Sequence, residues 1–572
     1  MTSLASLAAS YHEGNLRAQP VAATALGDRR YDDRLEDLTP EGIALERARL
    51  EGVLARARAL HGEALGPADR LTLAVLVAAV EGDLAQLACG LHEWVVDPLA
   101  GPQVSLLNIA SIQPVSTSAQ GELLVARWRA MARYVDVHVR NLRAGLAAGK
   151  VATRTAVEKT IAELDELLET PDAEWALSRP RFESHPAWTQ GERDAFRDGI
   201  GEALRDGLRP AFARYRDLVR DEVRPRARAD DRAGLLHVPG GEEAYRRLVR
   251  VHTTLDASPD EVHGTGLREV ARIDAEMEAL GRRALGARDR VELLGRLRSD
   301  PSLHFASRDE VEDKARAALE RANAAVPGWF GIRPRAACEV VRMEPHEEKH
   351  STIAYYRQPA ADGSRPGRYA INTYAPETRP RYEAEALAYH EAVPGHHLQI
   401  AIAQELAALP EFRKHLILNA YIEGWALYAE RLADEMGLYS GDQDRIGRLS
   451  YEAWRACRLV VDTGIHARGW TRRQAVEFML EHSALAANNV ENEVDRYIVW
   501  PGQALSYKLG QLEILALRDA ARRRLGDGFD IRGFHDVVLG EGSLPLGALR
   551  AAVEGWVERC AAGAGPAIMA AP

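Results

Sequence analysis

Along most of the chain, apolar residues recur every three or four positions with charged residues between them. From Leu45 to Leu65 and from Val262 to Leu285, Leu, Ala and Val return at helical spacing while Arg and Glu fill the gaps, which predicts amphipathic helices packed on a core with their charges in solvent. Start signals agree. Thr39-Pro40-Glu41 and Ser258-Pro259-Asp260-Glu261 each set a hydroxyl before a proline in the first turn, Ser258 and Glu261 have capping-box spacing, and Thr471 to Gln474 repeats that spacing without the proline. One region departs from the helical period: Cys338 to Met343, Ser351 to Tyr356 and Arg368 to Tyr374 read as strands, with Pro359 to Gly367 as the turn between the last two. The expected fold is mainly α with a small antiparallel β-sheet. A segment rich in Arg, Asp, Pro and Gly, Arg220 to Gly241, is expected to connect an N-terminal helical lobe, 1–235, to a catalytic lobe, 236–572.

Just after the strands, the apolar pattern admits residues that a core would not choose. Tyr389-His390-Glu391-Ala392-Val393-Pro394-Gly395-His396-His397 and Tyr421-Ile422-Glu423-Gly424-Trp425-Ala426-Leu427-Tyr428 hold three imidazoles and two carboxylates. A single buried His or Glu usually has an ordinary partner, but this set together predicts a divalent metal with its own general base. In an H-E-x-x-H helix the two histidines sit four apart and the glutamate acts on water. Here that fourth position is Pro394, which neither binds metal nor sits comfortably inside a helix. At about 100° and 1.5 Å per residue, His397 would return to the face of His390 roughly two turns away, too far to share an ion. A local bulge of two residues at Pro394-Gly395 would bring His396 into place instead. The expected ligands of one zinc ion are therefore His390 and His396, with Glu391 as general base and His397 facing substrate or backing a ligand; an exchange of roles between His396 and His397 is the alternative. Glu423, a carboxylate amid apolar neighbours, is the expected third ligand. Glu430, two turns on, is expected to orient a ligand histidine or pair with an arginine.

H-E-x-x-P-G-H-H followed by E-G-W-A-L-Y resembles a bacterial family of uncharacterised zinc-dependent peptidases. The likeness extends to Leu26-Gly27 with Tyr31 to Leu35, to Asp362 to Gly367, to Arg458 to His466, and to Pro501 to Gly510. That family is distantly similar to helical metallopeptidases such as oligopeptidases and angiotensin-converting enzyme. The resemblance implies two helical lobes around a deep cleft and short peptides as substrates. Within its motifs, Tyr507 and His466 are the expected donors to a developing oxyanion, with Tyr497 beside Arg496 as a weaker one. Arg458, Arg365 and Lys508 are candidate receivers of a substrate carboxylate; the alternative is that Arg365 pairs with Asp362, and Arg458 with Asp462. Asn372 would either contact an extended peptide along the sheet edge or simply end its strand.

Composition narrows the class. Of 572 residues, 46% are hydrophobic and 27% charged, an ordinary globular balance with a sizeable core. A net charge of -11 offers no basic surface to phosphate backbones, so no nucleic acid partner is expected. Cys89, Cys338, Cys457 and Cys560 are too scattered for a zinc knuckle or a disulfide framework. The N-terminus lacks a basic leader and no apolar run near 20 residues stands out, which leads to a cytoplasmic expectation without membrane contact, as monomer or homodimer. The function expected is a zinc-dependent hydrolase cleaving amide bonds of short peptides. Two other readings are a metal-dependent amidohydrolase acting on a non-peptide amide in secondary metabolism, and an inactive binding relative, against which Glu391 argues.

Overall fold

The computed structural model describes residues 3–60, 65–180, 188–345, 347–349, 351–360, 363 and 365–563. It is mainly helical, and local chemistry sets many of the helix starts. Thr39 accepts from the Gly42 amide to open helix Pro40–Arg58, and Ser258 and Glu261 form a reciprocal capping box at the head of Pro259–Leu285, which ends at Gly286 with φ 66°. Thr471 directly precedes helix Arg472–His482.

The chain forms two compact units, neither of them a single stretch: residues up to 64 with 79–247 and 465–473, and 65–78 with 248–464 and everything from 474. In the first unit, helix Ser118–Ala147 is the axis, and Trp128, Met131, Val135 and Leu142 along it bury against Phe212 and Tyr215. Arg127 on that helix is fully buried and donates to Gln113 Oε1, Thr24 Oγ1 and the Tyr31 carbonyl. Asp32, equally buried, accepts from Thr24 Oγ1 at 2.7 Å, so the Tyr31-Asp32 motif ties the N-terminal segment to this axis. The segment around Arg220 to Gly241 is a chain of short turns, Arg224–Arg226, Asp230–Arg232 and Leu235–His237.

The second unit carries the sheet. Its strands are β1 (Cys338–Arg342), β2 (Ala354–Arg357) and β3 (Gly367–Ile371), in the order β1-β3-β2. β2 and β3 pair antiparallel, but β1 runs parallel to β3, so the sheet is mixed and not antiparallel as expected. After β1 the chain reverses yet passes over one strand position, and β3 then fills the gap between its two predecessors. Asp362 and Ser364 of the intervening turn lie outside the described residues. β3 ends at Ile371, three residues before the expected Tyr374.

Helices Asn419–Glu435 and Ser506–Leu525 cross at two glycines. A Cβ on Gly510 would stand 1.8 Å from the Ala420 carbonyl oxygen, and one on Gly424 would stand 2.5 Å from Gly510 Cα. Only paired glycines admit backbones this close, and Glu423, beside Gly424, lies near enough to Tyr507, a turn before Gly510, for its charge to act on the phenol. Among the described residues one helix, Pro67–Glu93, is long and apolar enough to cross a membrane, by length and composition only.

Candidate metal centre

Helix Ala384–Glu391 stops at the glutamate and helix His396–Glu405 starts at the histidine. Between them Ala392 (φ -103°, ψ -106°) and Gly395 (φ -79°, ψ -129°) leave helical geometry, and the Val393-Pro394 peptide is cis. The expected two-residue bulge is thus a complete break. Pro394 supplies no N–H and blocks continuation, and Gly395 is required because a Cβ there would meet the His390 carbonyl oxygen at 1.9 Å. The reversal is pinned by Trp425 Nε1, which donates to the Pro394 carbonyl at 2.9 Å, and by the His397 amide, which donates to the Ala392 carbonyl at 3.1 Å.

The break turns His390 and His396 toward each other, ring centroids 4.8 Å apart at 84°. From the next helix Glu423 Oε2 lies 3.5 Å from His390 Nε2 and 3.6 Å from His396 Nε2. One donor atom from each of the three residues falls within 4.8 Å of the others. Those separations are long for hydrogen bonds but close to the roughly 3.3 Å edge of a tetrahedron with metal–ligand bonds near 2.0–2.1 Å. Glu423 Oε2 and His396 Nδ1 are moreover buried without hydrogen-bond partners, a costly arrangement unless something else meets the carboxylate. On both counts the donor set fits a divalent ion.

Burial alone would lower the His390 pKa, but the carboxylates of Glu423 and Glu430 beside the ring outweigh it and lift the group to about 9. Burial likewise works against the Glu423 carboxylate, yet His390 and His396 hold it well below the usual carboxyl range. Glu391 moves the other way: burial raises it, with the charge of Glu423 adding, against the pull of His396 and His390. A carboxyl raised in this way is suited to taking a proton. Tyr507 is raised by burial and by the charge of Glu423, and the Arg458 guanidinium sits 4.3 Å from its ring centroid.

Other predicted residues are placed differently. His397 turns away from the set: Nε2 donates to the Ala336 carbonyl at 3.1 Å, Nδ1 accepts from Tyr356 Oη at 3.0 Å, and burial lowers its pKa to about 4. It ties the turn to the sheet and faces a cavity of about 600 Å³ lined also by Val393, Leu398 and the 331–338 segment. Of the two exchangeable histidines it is His396 that meets Glu423. His466 belongs to the first unit, where its Nδ1 accepts from the Leu235 amide at 3.2 Å and its ring packs on Tyr245. Asn372 is fully engaged, donating to the carbonyls of Glu348 and Thr352 and accepting from the Tyr374 amide, so it closes the strand end. Arg365 donates to the carbonyls of Gln358 and Pro366, while its alternative partner Asp362 lies outside the described residues.

Arg458 donates to Tyr497 Oη and to Glu493, and Tyr497 Oη donates in turn to Glu493 at 2.6 Å. This closed ionic group replaces the pair expected with Asp462, whose carboxylate instead accepts from the Gly502 amide. Lys508 is buried, with Nζ 2.7 Å from Glu452 and 3.0 Å from Glu269. The charges of Arg458 and Lys508 are thus met by carboxylates of the protein itself. Arg455 escaped the sequence reading altogether. It is buried, its charge acts on both His390 and Glu391, and nothing in its local sequence sets it apart.

A family model described as "Bacterial protein of unknown function (DUF885)" matches residues 20–553. No curated protein matches the sequence. Among solved structures, a candidate lipoprotein from Colwellia psychrerythraea superposes with a TM-score of 0.89 at 27% identity, covering 98% of this chain and 100% of its own. A candidate lipoprotein of unknown function from Shewanella oneidensis gives 0.74 at 17% identity over 96% of this chain and 99% of its own. A candidate oligoendopeptidase F from Bacillus anthracis str. Ames reaches only 0.31 at 10% identity over 89% of this chain and 96% of its own, a likeness on which nothing is built. The Colwellia neighbour, matched over its whole length, is described as a candidate lipoprotein and not as a cytoplasmic protein; the cytoplasmic expectation therefore does not stand.

Proposed function

We propose that this chain, which belongs to the DUF885 family of bacterial proteins, is a metal-dependent hydrolase that cleaves amide bonds of short peptides and works outside the cytoplasm, a placement supported by its likeness to a candidate lipoprotein. The observation that carries the reading is the convergence of His390 Nε2, His396 Nε2 and Glu423 Oε2 on one point, with the carboxylate oxygen buried and unpartnered.

His390, His396 and Glu423 would hold one zinc ion, which when bound supplies the Lewis acidity that makes water nucleophilic at neutral pH. Glu391 takes the proton from water as its oxygen bonds to the carbonyl carbon, then delivers it to the leaving nitrogen as the C–N bond breaks. The Tyr507 hydroxyl donates to the developing carbonyl oxyanion. Glu430 fixes the His390 ring through Nδ1. The peptide end of the reading rests on the likeness of H-E-x-x-P-G-H-H to zinc peptidase motifs.

Digestion of a mixed short-peptide library by the zinc-loaded protein, followed by mass spectrometry, tests it. Several unrelated peptides should be cut, and Glu391→Gln should slow every cut by on the order of 1000-fold or more while keeping the metal. A library left intact, or a variant as fast as the parent, contradicts the proposal.

A further inference from the structure

Arg455 sits on helix Asp442–Arg468 with only 5% of its surface exposed. Its Nε and Nη1 are buried without an acceptor, and no carboxylate among the described residues lies within ion-pair distance of it. It is held by aromatic faces: its guanidinium carbon is 4.3 Å from the Trp454 ring centroid, 4.5 Å from that of Tyr451 and 6.0 Å from that of Tyr507. Its field reaches His390, Glu391 and Glu383. Of these, Glu383 is already committed to Ser450 Oγ at 2.7 Å.

A buried guanidinium without a counter-ion is expensive, and more so beside a site built for a second cation. Folds keep such features where function needs them. Neighbouring cations have satisfied their own charge within the protein, Arg458 with Glu493 and Lys508 with Glu452. Arg455 has not, and its planar donor array matches a carboxylate.

We propose that Arg455 is the receptor for a free carboxylate on the substrate, so that the protein takes peptides or amides bearing such a group close to the bond to be cut. The reaction in this statement rests on the hydrolase reading; the binding does not. The aromatic rings hold the guanidinium in place, and the carboxylate supplies the charge that the site lacks.

The test is calorimetric titration of full-length protein carrying Glu391→Gln, which prevents turnover, with a panel of N-acetyl dipeptides as free acids and as matching C-terminal amides. Titrations are run zinc-loaded and again with chelator, because zinc itself attracts carboxylates. The inference predicts acids binding at least tenfold tighter than their amides in both conditions. Adding Arg455→Gln should abolish the difference, and Arg455→Lys, which keeps the charge but not the fork, should retain part of it. Thermal midpoints of both variants should stay within a few degrees of the parent, since the residue removed balances no charge in the fold; should Arg455→Gln not fold, the Arg455→Lys titration decides. Equal affinity across the acid–amide pairs, no binding by any acid, or an acid preference surviving Arg455→Gln would overturn it. The two readings fail separately. A failed hydrolase leaves acid binding intact with no peptide cut, whereas a failed receptor leaves cleavage intact with no acid preference.

Discussion

His390 Nδ1 stands 2.7 Å from Glu430 Oε1, and both side chains are buried. A carboxylate only accepts, so the imidazole donates from Nδ1, and Nε2, turned toward Glu423 and His396, is the nitrogen that gives up its proton to take a metal. Glu430 thus selects the tautomer that a metal needs. Glu430→Ala should weaken zinc binding by about 10–100-fold while leaving the three donors in place, as measured by competition with a chromophoric chelator. Unchanged affinity would reduce Glu430 to a packing partner of His390.

Lys508 should behave as a structural residue. Its ammonium is buried among Glu452, Glu269 and Gln511. Arg272 and Arg448 also contact Glu452 and would remain on it in Lys508→Met. The loss should therefore fall below the roughly 3–5 kcal/mol of a fully stranded buried charge, at about 2 kcal/mol. Urea unfolding should show that drop with KM unchanged, and a raised KM at unchanged stability would restore a substrate role.

His535 should make the protein acid-sensitive. Its Nδ1 faces the Trp329 carbonyl, its Nε2 faces Tyr428 Oη and its ring stacks on Phe330, and burial pushes its pKa down to about 3. Because the folded value lies below the unfolded value, its contribution is present above about pH 6.5 and is lost as the pH falls toward 3. Between pH 7 and 5 the unfolded chain gains a proton that the folded protein refuses, worth about 2 kcal/mol. The stability gap between wild type and His535→Gln, measured in urea at both pH values, should shrink by that amount on acidification. A gap that is constant with pH would mean that His535 protonates freely in the fold.

What the sequence disclosed was mostly local. Helix starts at Thr39 and Ser258 are written in adjacent residues, and Glu423 could be singled out because its charge conflicts with its apolar neighbours. Pro394-Gly395 announced a disturbance, but whether the helix bulges or breaks depends on Trp425 holding the Pro394 carbonyl from another helix. The strand segments were legible, whereas the parallel pairing of β1 with β3 was not, because the side on which a strand docks is a tertiary choice. Motif membership alone did not separate chemistry from structure: Asp32 lies in a signature segment and ties the N-terminal chain together through Thr24. Arg455 left no trace in the sequence, since an arginine in an amphipathic helix looks the same whether it meets water, a carboxylate or nothing.

The most direct test of the account is zinc stoichiometry, measured by elemental analysis after equilibrium dialysis of the wild type and of Glu423→Ala. The account predicts one tightly held zinc per wild-type chain and a loss of affinity on the order of 100-fold or more in the variant. A wild type that retains no zinc, or a Glu423→Ala protein that retains it as tightly as the parent, would contradict the metal centre.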